Sequence, residues 1–279
     1  MPETPAPAPQ PPGPERPTVR SITLDQPLHW LALAWHDLRR CPRLSLAHGA
    51  VIALFGAALA AAAHDRFWLI VGAFSGFLVV APVVAAGLYA LSRALERGEP
   101  ASLALVLATW MPWRSGASGG HASNWRLVRF GLLLALAGTG WVLTSAALIT
   151  LLAPLPILKP MDFVHHVVLA RDNLLFEIWL ALGGVLAAPV FASSAIAMPL
   201  LVDRPVGVLQ AVLTSWRAVL ANPVPLALWA ALIMGLTLLG LATLLVGLVV
   251  LVPLLGHASW HAYRALVPPH DASSAERAP

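Results

Sequence analysis

The chain has 279 residues, 58% hydrophobic and 11% charged, with a formal net charge of +4 and a single cysteine. Ordinary soluble domains carry about 25% charged residues, so too few charges remain here to solvate a globular surface. A soluble enzyme, a disordered protein and a disulfide scaffold are excluded, and lipid is left as the main solvent.

Sixteen of the seventeen basic residues are arginine, Lys159 being the other, and most flank apolar runs. Guanidinium groups placed there meet anionic headgroups, so the charge reads as a juxtamembrane collar and not as a nucleic-acid surface. Cys41 cannot form an internal disulfide. Its arginine-flanked position suggests the cytosolic side, and it reads as an inert thiol.

Residues 1–20 are read as a disordered, proline-rich cytosolic tail, since the first seventeen residues hold eight prolines and cannot pack a core. No secretory signal is recognisable there, and the first span serves as the insertion signal. From Ile22 to Arg40 an amphipathic helix is expected on the membrane surface, with Asp25 able to cap it and Pro27 in its first turn. Leu24, Leu28, Leu31, Trp35 and Leu38 form its apolar face, while His36, Asp37, Arg39 and Arg40 gather near its end. Pro42 breaks it.

Six membrane spans follow within a domain over 21–267, near 44–63, 67–92, 127–152, 174–201, 224–241 and 242–263, and residues 268–279 form a second disordered cytosolic tail. The last two spans come from one uncharged run, Val224 to Tyr263. It is long enough for two crossings at about 1.5 Å per residue, with Gly240 as a stop and Thr243 as the next cap. Basic residues divide 14 to 3 between the two sides, so both termini are expected in the cytosol. The fold class is therefore all-α, a polytopic helical bundle of three hairpins, each preceded by an amphipathic interfacial helix.

The hairpins read as repeats. Trp35 to Pro42 and Trp216 to Pro223 share one spacing, and Pro82, Tyr89, Arg93, Ala94 and Leu95 match Pro253, Trp260, Arg264, Ala265 and Leu266 at a constant offset. In the second amphipathic segment Val208, Leu209, Val212, Leu213, Trp216, Val219 and Leu220 share a face, away from Gln210 and Arg217. A weaker third copy spans Ser102 to Trp110, with Leu103, Val106, Leu107 and Trp110 on one face. Tryptophan and proline favour any membrane interface, which is the competing explanation.

Four stretches carry a family resemblance: AWHDLRRCPRLSLAHG at 34–49, GLYALSRALERGEP at 87–100, SWRAVLANPVPLALWAAL at 215–232 and PLLGHASWHAYRALV at 253–267. Together they resemble the bacterial predicted integral membrane family DUF2189, over roughly residues 20–267, the closing motif being the most specific. The resemblance implies a six-span protein of the bacterial inner membrane and carries over no catalytic residue.

Chemistry is sparse. His257 and His261 lie four apart on one helical face and are the candidate metal or haem ligands, with His48 and His36 expected at a similar depth. No acidic or cysteine partner is evident beside the pair, and an interfacial band including Trp260 and Tyr263 explains the same residues. On the opposite side Asp162, His165, His166, Asp172 and Glu177 cluster, with Asp162 and His166 at ligand spacing and Glu177 read as exposed. Ser118 in GASGG fits a nucleophile pattern but lies in a glycine-rich linker.

No span carries an ionised centre; Ser75, Thr139, Thr144, Ser145, Ser193, Ser194 and Thr237 supply the polar atoms. Pro82, Pro189 and Pro253 are expected to kink spans, and Gly72 and Gly76 form a packing face. Trp35, Arg39, Arg40, Trp216, Arg217, Trp260 and Arg264 are the expected lipid or interface residues.

The leading reading is a non-enzymatic scaffold, or organiser of lipid or of a membrane-protein partner, with no cofactor, no nucleic-acid partner and membrane lipids as its neighbours. A passive transporter or channel for an uncharged or amphipathic solute is the alternative, favoured by a path lined by Thr144, Ser193 and Ser194. A metal- or haem-binding protein associated with respiratory complexes, acting through His257 and His261, is the second.

Overall fold

The computed structural model describes residues 17–63, 85–110, 121–170 and 174–268, and among them there is no strand. Helix α1 (Gln26–Arg40) leads into α2 (Pro42–Ala63), followed by α3 over 85–96, α4 (Leu103–Trp110) and α5 (His121–Leu152). A short α6 (Pro160–Phe163) runs into a π-helical turn at Val164–Val168. Then come α7 (Leu175–Ser194), α8 (Ala197–Asp203), α9 (Val208–Ala221), α10 (Pro223–Ala242) and α11 (Leu248–Leu266).

Four stretches are long and apolar enough to cross a bilayer: Pro42–Ala62, Trp125–Leu152, Leu175–Asp203 and Pro223–Ala242. They coincide with four of the six expected spans. In three of them only 17% of the most apolar window is buried inside the protein. A water-soluble fold hides its most apolar helices deepest, whereas here Leu136, Leu143 and Leu151 of α5 all point outward. Acyl chains are the solvent that suits such a surface.

The other two spans differ from expectation. The one placed over 67–92 lies outside the described residues up to position 84, as do Gly72, Gly76, Ser75 and Pro82, and its end is α3. The one placed over 242–263 is α11, which begins later and is not among the four apolar crossings, because His257, Ser259, His261 and Arg264 interrupt it. It is also a core helix, burying Pro253, Gly256, His257, Ala258, Trp260, Ala262, Tyr263 and Leu266.

Helix α11 packs chiefly against α1 and α2. Ser45 meets His257, Gly49 meets Val249 and Gly56 meets Leu245, so α2 and α11 run antiparallel. A Cβ on Gly49 would strike the Val249 backbone, and one on Gly256 would strike Leu88 of α3. Only hydrogen at these two positions lets the helix axes approach so closely.

The turn joining α10 and α11 is tight, but its parts are arranged differently from the sequence reading. Helix α10 continues past the buried Gly240 to Ala242, and Thr243 closes it instead of opening the next helix. The Thr243 hydroxyl donates to the Gly240 carbonyl at 2.8 Å and accepts from the Gly247 N–H at 2.9 Å.

The expected span over 174–201 is also interrupted. Pro189 stays inside α7, and the break falls between Ser194 and Ala197. There the Ile196 N–H is taken up by Ser215 Oγ of α9 at 3.1 Å, so a backbone donor freed by the break is satisfied.

The spacing shared by Trp35–Pro42 and Trp216–Pro223 has a structural counterpart. Cys41 and Asn222, each just before the proline that opens the next helix, have φ/ψ of −132°/58° and −135°/53°. A proline disfavours helical geometry in the residue before it, which puts the same bend at both joints. Segment 17–25, part of it assigned to the tail, lies against the bundle: Arg20 N–H donates to Leu266 O and Ile22 N–H to Asn222 Oδ1.

Each surface helix buries one face against the bundle and exposes another. Ala211, Thr214, Ser215 and Ala218 are the buried side of α9, while Leu209, Leu213 and Leu220 face out. In α1 the buried side is Pro27, Trp30, Ala34, Asp37 and Leu38, with Leu28 and Trp35 exposed, as is Leu24 just before the helix. In α4 Val106 packs on Leu88 and Leu91, while Leu103 and Leu107 are exposed. The expected apolar faces are thus divided, with Leu28, Trp35, Leu103, Leu107, Leu209, Leu213 and Leu220 exposed and Leu38 and Val106 buried.

Replacing Gly49 by alanine is expected to destabilise the detergent-solubilised protein by about 2 kcal/mol, the order of an overpacked core contact. Gly184→Ala, where a methyl meets open space, is expected to cause no loss. Thermal unfolding of the two variants beside the parent protein checks both.

Candidate functional site

The polar residues of α11 converge with three other helices. Ser92 of α3 donates to Asp37 Oδ2 of α1 at 2.9 Å and shares a 2.6 Å hydrogen bond with His257 Nδ1. His257 Nε2 shares a 2.9 Å bond with Ser45 Oγ of α2, and Ser45 in turn lies 3.2 Å from Cys41 Sγ. His261 Nε2 donates to the same Asp37 oxygen at 2.9 Å. Ser92 has one proton, which goes to the carboxylate, so it accepts from His257 Nδ1–H. In the neutral ring, Nε2 is then the acceptor for the Ser45 hydroxyl.

This chain of bonds is enclosed: Asp37, Ser45, Ser92 and His257 are all buried. Burial pushes the Asp37 carboxyl up, but the hydrogen bond and charge of His261 and the Ser92 bond outweigh it and hold the group below its ordinary value of 3.8. Burial, in contrast, raises the Cys41 thiol, with Ser45 opposing it, in keeping with an inert sulfur.

The sequence reading is corrected here in two respects. Asp37, grouped with the charged end of α1, faces inward, and the histidine pair thereby gains the acidic and cysteine neighbours that were not evident. No local signal marks this, because Asp37 stands among His36, Arg39 and Arg40, and only its partners Ser92 and His261 reveal the inward position. Both nitrogens of His257 are engaged by serines, and among the described residues no three His, Cys, Asp or Glu side chains converge as a metal site. His36 is exposed, and His48 Nδ1 bonds to Leu44 O at 2.7 Å.

Beside this chain lies a basic corner built from the ends of α3, α8 and α11. Arg264 holds Glu96 through Nε at 2.8 Å and Nη2 at 2.6 Å, and Trp260 Nε1 donates to the other Glu96 oxygen at 2.9 Å. Tyr263 OH donates to Asp203 at 2.7 Å. Trp260, expected at a lipid interface, is therefore a core residue: it is 1% exposed and its ring lies 5.4 Å from Tyr263. Its indole N–H finds a carboxylate, so the ring has no need of the interface.

The remaining interface residues keep outward positions. Trp35 is exposed with the Arg39 guanidinium 5.1 Å over its ring. Arg40 reaches Leu95 O, and Arg217 turns back to Leu213 O. Trp216 is half-buried and donates to Ser193 Oγ at 3.0 Å. Thr144 and Ser194, expected along a solute path, each donate to a carbonyl of their own helix.

At the opposite end Asp162 Oδ2 accepts from the N–H groups of Leu158 and Lys159, which hold its carboxyl below 3.8. It serves as a helix cap and does not reach out as a ligand. Trp179 gathers Trp141, Phe163 and Phe176 around itself and donates to Ser145 Oγ. Glu177 is exposed, as expected. Asp172 and Ser118 lie outside the described residues.

Residues 69–203 match the model of a family described as "Predicted integral membrane protein (DUF2189)". The resemblance read from the sequence holds over that stretch, which includes α3 and the corner residues up to Asp203. The motif at 253–267 lies beyond it. Comparison with curated proteins and with solved structures gives no match.

Asp37→Asn is expected to lower thermal stability at neutral pH by about 2 kcal/mol, since His261 and Ser92 then face a weaker acceptor inside the protein. Because the folded carboxyl is held below its ordinary value, its contribution is full above pH 3.8 and is lost as pH falls through the lowered value. Unfolding curves of parent and variant should accordingly converge in acid; a gap that stays constant with pH would contradict the role given to Asp37.

Proposed function

We propose that this integral membrane protein, with its DUF2189 segment, is a non-enzymatic scaffold of the bacterial inner membrane that organises lipid, or holds a membrane-protein partner, at the cytosolic face. In this reading six helices cross as three hairpins, α1, α4 and α9 lie in the cytosolic interface, and both termini are cytosolic.

The observation that carries the reading is the orientation of the surface helices. Each buries one face on the bundle, small and polar in α9, Trp30, Ala34, Asp37 and Leu38 in α1 and Val106 in α4, and turns other leucines outward, as interfacial helices do when acyl chains cover their other face. The corner contacts are consistent with the topology. Arg93 of α3 donates to Val202 O, Arg126 near the start of α5 to Val206 O, and Arg204 after α8 to Val267 O. The segment ends expected on the basic side therefore meet at one end of the bundle.

Single cysteines at Leu28, Leu209 and Leu213, in a Cys41→Ser background, test this when labelled with an environment-sensitive fluorophore in lipid nanodiscs. Strong quenching by lipids with a nitroxide near the headgroup, and little by aqueous iodide, is expected at all three positions. Free iodide quenching would overturn the interfacial placement. A carboxy-terminal alkaline phosphatase fusion that is active would overturn the orientation.

A further inference from the structure

The basic corner holds more positive charge than its own carboxylates neutralise. Arg93, Arg97, Arg204 and Arg264 surround a cavity of about 400 Å³ together with Glu96 and Asp203. Four guanidinium groups against two carboxylates leave a formal excess of +2.

The internal bonds are unevenly distributed. Glu96 is fully engaged by Arg264 and Trp260. Asp203 takes its one close bond from Tyr263, while Arg97, Arg204 and Arg264 approach it only to 3.4, 3.8 and 3.8 Å. Arg93 and Arg204 donate to backbone carbonyls, which carry no compensating charge. Arg97 has a side chain that is 52% exposed, with the 3.4 Å approach to Asp203 as its polar contact. Burial, and after it the like charge of Arg97, pull the Arg93 guanidinium below its ordinary range against the opposing charges of Asp203 and Glu99.

We propose that this cavity binds a phosphate-bearing anion, with Arg97 and Arg93 as its principal donors and Arg204 and Arg264 completing the positive wall. Planar guanidinium groups match phosphate oxygens two at a time, which lysines could not do. The seven residues lining the cavity include no lysine, and Trp260 lies at its wall. The expected source is an anionic phospholipid headgroup; that part rests on the cytosolic-interface reading above. Free phosphate offers the same chemistry from solution.

The test uses the full chain in nanodiscs of zwitterionic lipid. Inorganic phosphate is titrated in one arm, and phosphatidylglycerol is increased in the other, with thermal stability and lipid retention by native mass spectrometry as readouts. Arg97→Gln and Arg93→Gln are expected to weaken the response about tenfold each, the scale of losing one charge-assisted contact. Lys159→Gln, just before α6 at the opposite end of the bundle, removes one positive charge outside the cavity and is expected to respond like the parent.

A response to phosphatidylglycerol lost in the cavity variants supports a lipid site. A response to phosphate alone, lost in the same variants, supports the anion site with a soluble source and counts against the interfacial reading only. Equal loss in Lys159→Gln, or no loss in Arg97→Gln and Arg93→Gln, overturns the proposal. Should the cavity variants be unstable, Arg97→Lys in the same titrations keeps it decidable: it retains the charge but not the paired donors, and parent-like binding would overturn the guanidinium argument.

Discussion

Polar groups removed from water must find partners within the protein, and α11 is where this constraint governs the architecture. His257, His261 and Ser259 occur in a helix that otherwise consists mostly of Leu, Val and Ala. An unmatched polar group there costs about 1–3 kcal/mol. Asp37, Ser92 and Ser45 come from three different helices to meet the two histidines. The chain of hydrogen bonds fixes the mutual register of α1, α2, α3 and α11. That register brings the ends of α3, α8 and α11 together at the arginine corner.

The rest of the molecule follows the opposite rule. Helices α2, α5 and α10 leave most of their apolar surface outside the protein, and small residues carry the closest approaches between elements. In hydrocarbon nothing drives leucine toward leucine, so close approach through glycine, alanine and serine decides which helices pair. Gly49 against Val249 and Ala211 through Ala218 on α9 are instances. The arginine edge completes this division, with charge held at one end of an otherwise apolar body.

Much of this was legible in the sequence, and its limits have physical causes. Spans α2, α5, α7–α8 and α10 follow from hydropathy and length, because lipid imposes both. The matching bends at Cys41 and Asn222 follow from their prolines. Periodicity revealed the apolar faces of α1 and α9 but not which face meets protein, since in a membrane large apolar residues face outward as readily as inward. Asp37 was misread for the same reason: a carboxylate beside arginines suggests a solvated helix end, and only its long-range partners Ser92 and His261 show otherwise. The corner could not be seen from sequence because it joins three distant segments, with contacts spanning 109 residues between α3 and α8 and 60 between α8 and α11.

The account rests on α11 being locked to α1 through the buried Asp37–Ser92–His257 contacts inside a lipid-solvated bundle. Hydrogen exchange in nanodiscs measures this directly. Amides of α11 from Pro253 to Leu266 should exchange as slowly as those of the more apolar α10, and Ser92→Ala should speed exchange in α1 and α11 together. Fast exchange in α11 of the parent protein, or acceleration confined to α3, would contradict it.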